Sequence, residues 1–215
     1  MSRILVLGAY GQIAQLVRER IINESDAFLT EYLRRAQRLS AIDPSREHIV
    51  EGDVNDYDAL LESMQGQDVV YANLGGEFEP MAANIVKAMA ESGVKRLIWV
   101  TGLGLYHEVP GTFGKWVEES IGSEIMDDTR RAAQIIENAD LDSTIIRAAY
   151  MDNEPDRDYE LTQKGEPFRG TTVSRAAIAD LIVDILKNPS RHSGESLGIA
   201  RPGTEGDHLI WKPQR

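Results

Sequence analysis

The sequence predicts an α/β protein built on a doubly wound parallel sheet and folded as a single domain. Three observations carry this. Near its start the chain reads RILVLGAYGQIA from Arg3 to Ala14, an apolar strand running through a glycine turn into a helix. Strand-like and helix-like segments then alternate without a low-complexity linker or an internal repeat, the pattern of successive β–α units. Segments rich in glycine and asparagine recur at the carboxyl ends of the expected strands, where open sheets of this kind bind ligands.

The elements follow in order. Ile4, Leu5, Val6 and Leu7 make the continuous apolar run of a strand buried on both faces. Gly8 permits a tight turn, Gly11 permits close backbone approach to a pyrophosphate, and Ala14 is small enough for helix-on-strand packing. A helix from Gly11 to about Ile22 would aim its first amides at a phosphate, so Tyr10, Gly11, Gln12 and Ile13 become candidate binding residues. By itself the fragment fits an ordinary strand–turn–helix as well. A second strand is expected from Ala27 to Leu33 and a short third from His48 to Val50, ending in Glu51-Gly52-Asp53-Val54. Leu60, Leu61 and Met64 give helical spacing between Tyr57 and Met64. A fourth strand, Asp68 to Ala72, leads into Asn73-Leu74-Gly75-Gly76, and a helix from Pro80 to Ser92 has proline at its start and Gly93 beyond its end.

Arg96 to Thr101 is expected as the fifth strand, followed by a glycine-rich, aromatic loop from Gly102 to Gly114. A helical stretch from Lys115 to Asn138 should break near Gly122. Ser143 to Arg147 is a strand, Arg175 to Leu186 a helix with Ser174 as N-cap, and Ser196 to Ala200 a final strand. The domain is expected to span residues 1–201. The polar, glycine-containing stretch 202–215 reads as a surface arm, with Leu209, Ile210 and Trp211 either covering the domain's own core or offering a surface to a partner.

Composition narrows the function. A chain of 215 residues holds one well-buried α/β domain. Its net charge of −12 argues against nucleic acid as a partner. With no cysteine there are no disulfides, thiolate metal sites or cysteine nucleophiles, which fits a reducing cytoplasm. His48, His107, His192 and His208 are scattered without metal-ligand spacing, so no metal is expected. Neither a membrane span nor a charged-then-apolar leader is visible, so no membrane partner and a cytoplasmic location are expected.

The strand ends suggest a dinucleotide site of the Rossmann type. Arg34 follows the second strand directly, with Arg35 and Arg38 close by. An acidic residue at that point would suit the ribose of NAD, whereas arginine suits the 2′-phosphate of NADP. The alternative is a solvated start to a basic helix. NADP(H) is therefore the expected cofactor, with NAD as the alternative. Asp53 and Val54 could hold the adenine amino group, although a turn aspartate would look the same. Asn73, Leu74, Gly75 and Gly76 would pass beneath the cofactor ribose, where missing side chains allow close approach.

Here the residues reach a family. GAYGQIA, Tyr32-Leu33-Arg34, Gly52-Asp53-Val54, IWVTGLGLY, LDSTIIR (141–147) and GEPFRGTTVSRAAIADLIVDIL (165–186) occur in this order. Together they resemble the atypical short-chain dehydrogenase/reductases of the NmrA-like, NAD(P)H-binding branch, which includes biliverdin-IXβ/flavin reductases. The resemblance covers Arg3 to about Leu186 and implies a Rossmann fold with Thr101 and Gly102 beside the cofactor.

The departures are informative. Hydroxyl-substrate members of the superfamily use a Tyr-x-x-x-Lys pair, in which lysine lowers the tyrosine pKa. None of Tyr10, Tyr32, Tyr57, Tyr71, Tyr106, Tyr150 and Tyr159 has lysine four residues on, and Gly102 stands where the resemblance places the assisting serine. No catalytic residue is assigned. Hydride transfer to a flavin, quinone or similar planar acceptor tolerates this loss, because the cofactor carries the reaction and protons can come from solvent. Phe78, Leu103, Tyr106, Phe113, Trp116, Tyr150 and Met151 are candidates to line the acceptor pocket, with the loop from Gly102 to Trp116 as its lid. Arg131 is read as a surface residue and left outside the site. The competing reading is a non-catalytic NADP-binding redox sensor. A sugar-nucleotide epimerase fails on chain length and on the absent Tyr–Lys pair.

Overall fold

A computed structural model describes residues 2–211. Five parallel strands, four of them followed by α-helices, build the first part of the sheet. β1 (Arg3–Leu7) leads into α1 (Gln12–Glu24), β2 (Phe28–Leu33) into a single 3-10 turn (Ala36–Arg38), and β3 (Glu47–Glu51) into α2 (Tyr57–Met64). β4 (Val69–Ala72) and α3 (Phe78–Ser92) precede β5 (Arg96–Gly102). Two helices follow, α4 (Gly111–Ile121) and α5 (Ser123–Glu137), then β6 (Asp142–Ala148). The remainder is β7 (Tyr150–Asp152), β8 (Glu160–Thr162), β9 (Thr172–Ser174), α6 (Arg175–Lys187) and β10 (Glu195–Ala200).

The main sheet runs β3-β2-β1-β4-β5-β6-β10-β8, parallel throughout except for β8, which pairs antiparallel with β10. The order reverses between β1 and β4, which puts a crevice at their carboxyl ends. β7 and β9 form a separate parallel ribbon. Ile4 and Val6 face a core shared with α1 and α6, while Leu5 and Leu7 face one shared with α2, α3 and α5. All four are buried, as a strand covered on both faces requires.

Local signals account for most boundaries. The Ser174 hydroxyl accepts from Ala177 N and starts α6, and Gly93 closes α3 in the left-handed region. Gly122, with φ +88, separates α4 from α5, as its position in the sequence suggests. Two expectations are corrected. α3 begins at Phe78 rather than Pro80, because Asp128 of α5 accepts from the Phe78 and Glu79 amides. The stretch after β5 is no lid: Leu103 and Leu105 are buried, and the loop is fastened down by Glu108.

The Glu108 carboxylate accepts from Gly104 N, Tyr106 N and the fully buried Arg147 guanidinium (2.6 Å). A second buried guanidinium, Arg201, binds both Asp152 and Asp156 and also donates to Trp211 O. Thr171 Oγ1 donates to Thr204 O and accepts from Ile210 N, which ties the stretch after β10 against β9. Leu209 packs on the core and Trp211 is exposed. Residues 212–215 of the expected arm lie outside the described residues.

Candidate functional site

A cavity of about 440 Å³ opens at the carboxyl ends of β1, β2, β3 and β4. Gly8, Tyr10, Gly11, Arg34, Arg35, Asp53, Val54, Asn73, Leu74 and Gly75, all singled out in the sequence, line it together.

The glycine turn is shaped by its neighbour strand. Gly8 has φ +80, and a Cβ there would lie 2.3 Å from the Asn73 carbonyl oxygen. At Gly11 a Cβ would lie 2.0 Å from Asn73 Nδ2. Gly8 is therefore needed for the Asn73 backbone to cross under the turn, and Gly11 leaves room for the Asn73 side chain. Gly11 is the N-cap of α1, with no side-chain capping bond and no acidic residue in the first turn. Its opening amides, those of Gln12 and Ile13 among them, are left to a ligand or water. The Gln12 side chain is exposed and that of Ile13 is core, so backbone N–H is what these two offer.

The far end of the cavity is basic. Arg34, Arg35 and Arg38 all line it, and among the described residues no carboxylate forms an ion pair with any of them. The Arg38 guanidinium lies 3.7 Å from the Tyr10 ring centroid, a cation–π contact that bridges the glycine turn to the segment after β2. That segment is anchored from below. Glu51 Oε2 accepts from Ala36 N at 2.9 Å. Buried Arg18 donates to Ser40 O (2.9 Å), to Glu47 (2.6 Å) and to Glu31. Burial pushes the Glu31 carboxyl up to about 7 against the pull of Arg18, with Glu47 adding to the rise.

Sequence reasoning missed part of the lining: Tyr32, Leu33, Gly52, Asn55, Glu77 and Met81, with Arg38 noticed only as a nearby cation and Gly76 only as the end of the Asn73 strip. Tyr32 is the most instructive. Its hydroxyl donates to Asp53 O at 2.9 Å, and its ring occupies the space a Gly52 side chain would need. Burial, reinforced by Asp56 and Asp53, pushes this phenol up to about 12. The glycine before Asp53 was the available signal. Asn84 Nδ2 donates to Val54 O at 3.1 Å and fixes the same corner.

The remaining expected residues lie outside this cavity. Thr101 and Gly102 end β5; the Thr101 hydroxyl is buried without a partner, and nothing lies close to where a Gly102 side chain would be. Phe113, Trp116 and Tyr150 form one cluster, Trp116 stacked on Phe113 with centroids 5.8 Å apart and tilted 5.2 Å from Tyr150. Met151 is beside Tyr150 on β7. The other three do not join them. Phe78 sits edge-on to Trp99, and Leu103 is in the core. The Tyr106 hydroxyl is bound between Glu137 (2.5 Å) and Ser196 (2.9 Å). Burial and the Glu137 carboxylate raise its pKa, which makes it a poor acid. Arg131 is exposed and pairs with Glu79 at 2.6 Å.

An uncapped helix start beside glycines, in a cavity also lined by guanidinium groups that no carboxylate of the described residues pairs, is a donor set suited to a dinucleotide's phosphates. The chain belongs to the NAD(P)H-binding family, whose model matches residues 8–189, and is an atypical short-chain dehydrogenase/reductase. It is 39% identical to a Rossmann-fold NAD(P)-binding family protein from Shigella flexneri, over 99% of this chain and 100% of that one, with a TM-score of 0.85. A short-chain dehydrogenase/reductase from Veillonella parvula, solved with NADP, is 30% identical over 98% and 99% of the two chains, with a TM-score of 0.90. Phenylcoumaran benzylic ether reductase PT1 of Pinus taeda is 33% identical over 106 residues, 44% of this chain and 34% of that protein. The match thus spans about a third of the curated relative's length.

Proposed function

We propose that the protein is an NAD(P)H-dependent reductase that delivers hydride to a flavin, quinone or similar planar acceptor, with NADPH the preferred donor. The observation that carries this is the cavity itself, which three arginines line without an ion-pair partner among the described residues, in a chain of net charge −12. A 2′-phosphate is the ligand group that satisfies them. The NADP complex of the Veillonella parvula relative supports the same preference, and the word reductase in the name of the pine relative supports the direction of transfer.

Bound NADPH would supply the hydride. The protein's part is binding, orientation and exclusion of water. First-turn amides of α1 would receive the pyrophosphate, Arg34, Arg35 and Arg38 would receive the 2′-phosphate, and Tyr32 would hold the Asp53–Val54 corner for the adenine. Asn73, Leu74 and Gly75 form the floor. The acceptor would lie beyond Thr101 and Gly102 at the end of β5, with the Trp116 and Tyr150 rings as its candidate neighbours. The proton that balances the hydride comes from solvent, because Tyr106 is committed to Glu137. The absence of cysteine is consistent with work in a reducing cytoplasm.

The test is NADPH oxidation at saturating cofactor across a panel of flavins, quinones and dyes. Turnover with any of them establishes the reductase. Tight NADPH binding without turnover on the whole panel would replace it with a redox sensor.

A further inference from the structure

The strip from Asn73 to Glu77 lines the cavity along its whole length, yet the sheet ties only one end of it. Upstream, Asn73 N donates to Leu7 O at 2.9 Å. Downstream, Gly75 and Gly76 are exposed, Gly76 has φ +127, and Glu77 makes no side-chain cap for α3. Left alone, this end would be the loosest part of the lining.

We propose that Asp128, on the neighbouring helix α5, is a positioning residue that sets this strip and so the shape of the cavity for NAD(P)H. The inference rests on the dinucleotide reading above. Asp128 Oδ2 accepts from Phe78 N at 2.6 Å and Oδ1 from Glu79 N at 3.0 Å. One carboxylate thus takes two of the first-turn amides that a helix leaves unpaired, and its charge sits at the positive end of α3. Arg131, almost one turn further along α5, donates to Glu79 Oε2 at 2.6 Å and adds a second strap. The base of these straps is rigid, since Ala132, Ala133 and Ile136 are buried in the core that α5 shares with α3. Asp128 does not itself line the cavity. It acts through the peptide groups at the start of α3, directly after Glu77.

The experiment compares Asp128→Asn, Asp128→Glu and the exposed control Glu124→Gln with the unaltered protein. Three quantities are read: amide hydrogen exchange over 75–79 without ligand, the urea midpoint, and the dissociation constant for NADPH. Asparagine keeps the size but offers one acceptor oxygen in place of two. Exchange over 75–79 should rise in Asp128→Asn, and the NADPH dissociation constant should rise about 5- to 10-fold, the scale of a lost helix cap. Asp128→Glu should recover part of both, and Glu124→Gln should change neither. Unchanged exchange over 75–79, or raised exchange with unaltered affinity, overturns the inference. So does weakened binding accompanied by loss of protection across the whole sheet, which would make Asp128 merely structural. Unaltered protein that binds no dinucleotide overturns instead the reading on which the inference stands.

Discussion

Alanine at Gly8 and alanine at Gly11 should fail in different ways, although the two glycines belong to one turn. At Gly8 the backbone has φ +80, where an L side chain costs about 1–2 kcal/mol. The added Cβ would also lie 2.3 Å from the Asn73 carbonyl oxygen, a backbone atom whose residue is hydrogen-bonded to Leu7. Neither partner can move without parting β1 from β4, so the overlap adds about 1–3 kcal/mol. The expected loss of stability for Gly8→Ala is about 2–5 kcal/mol. At Gly11 the backbone is extended (φ −60, ψ 147), and the nearest obstacle, at 2.0 Å, is the amide end of the Asn73 side chain. That group can swing away. Folding should suffer by less than about 1.5 kcal/mol, the range of alanine at an N-cap. The displaced amide and the new methyl then crowd the cavity mouth, and NADPH affinity should fall about 10-fold or more, equivalent to about 1.4 kcal/mol. Urea denaturation and titration of NADPH fluorescence measure the two quantities separately. Equal losses of stability in the two variants, or Gly11→Ala binding NADPH as tightly as the unaltered protein, would refute the reasoning.

Removing the guanidinium of Arg34 should weaken NADPH binding about 10- to 150-fold while changing NADH less than about 2-fold; equal effects in paired titrations would count against a 2′-phosphate site. Arg147→Met strands the buried Glu108 carboxylate and should cost about 3–5 kcal/mol in urea denaturation, much of it restored when Glu108→Gln is added. Tyr106→Phe should keep at least about a third of any reductase activity, since a general acid would be worth about 100-fold or more in turnover assays. Glu31 is protonated more readily folded than unfolded, so its contribution to stability is full below about pH 4.5 and is lost as pH rises through about 7. Denaturation midpoints should accordingly fall across that window, and Glu31→Gln should flatten the slope.

Much of the fold was legible because its signals are local. α2 has the expected limits, Ser174 caps α6, and Gly122 breaks the long helical stretch, each decided by a residue or a spacing at the spot. The elements that escaped depend on remote partners. β7, β8 and β9 are three residues each and exist through pairing, β8 with β10 and β7 with β9. The start of α3 is set by a carboxylate fifty residues on. The same division runs through the site. The glycines and arginines at strand ends were visible, because the backbone itself places them in the crevice. Tyr106 misled because an aromatic after a strand says nothing of its direction, and here it turns to Glu137 and Ser196. Met81 lies inside the helix expected from Pro80 to Ser92, where no local signal marks it as part of the lining.

The Arg201 clamp has a consequence for how the molecule is made. Asp152 and Asp156 leave the ribosome well before the guanidinium that will neutralise them, for Arg201 lies 45 residues beyond Asp156. At a synthesis rate of about 5–20 residues/s, that interval is about 2–9 s. During it the two carboxylates have no buried counter-ion and cannot settle into the folded position, so the 150–156 segment stays open. The strands β1 to β6 can assemble in the meantime, since their pairings need nothing beyond Ala148. Tyr150 and Met151 therefore belong to the part of the protein that locks last. A nascent chain stalled before Arg201 should expose them to protease while the first six strands are already protected.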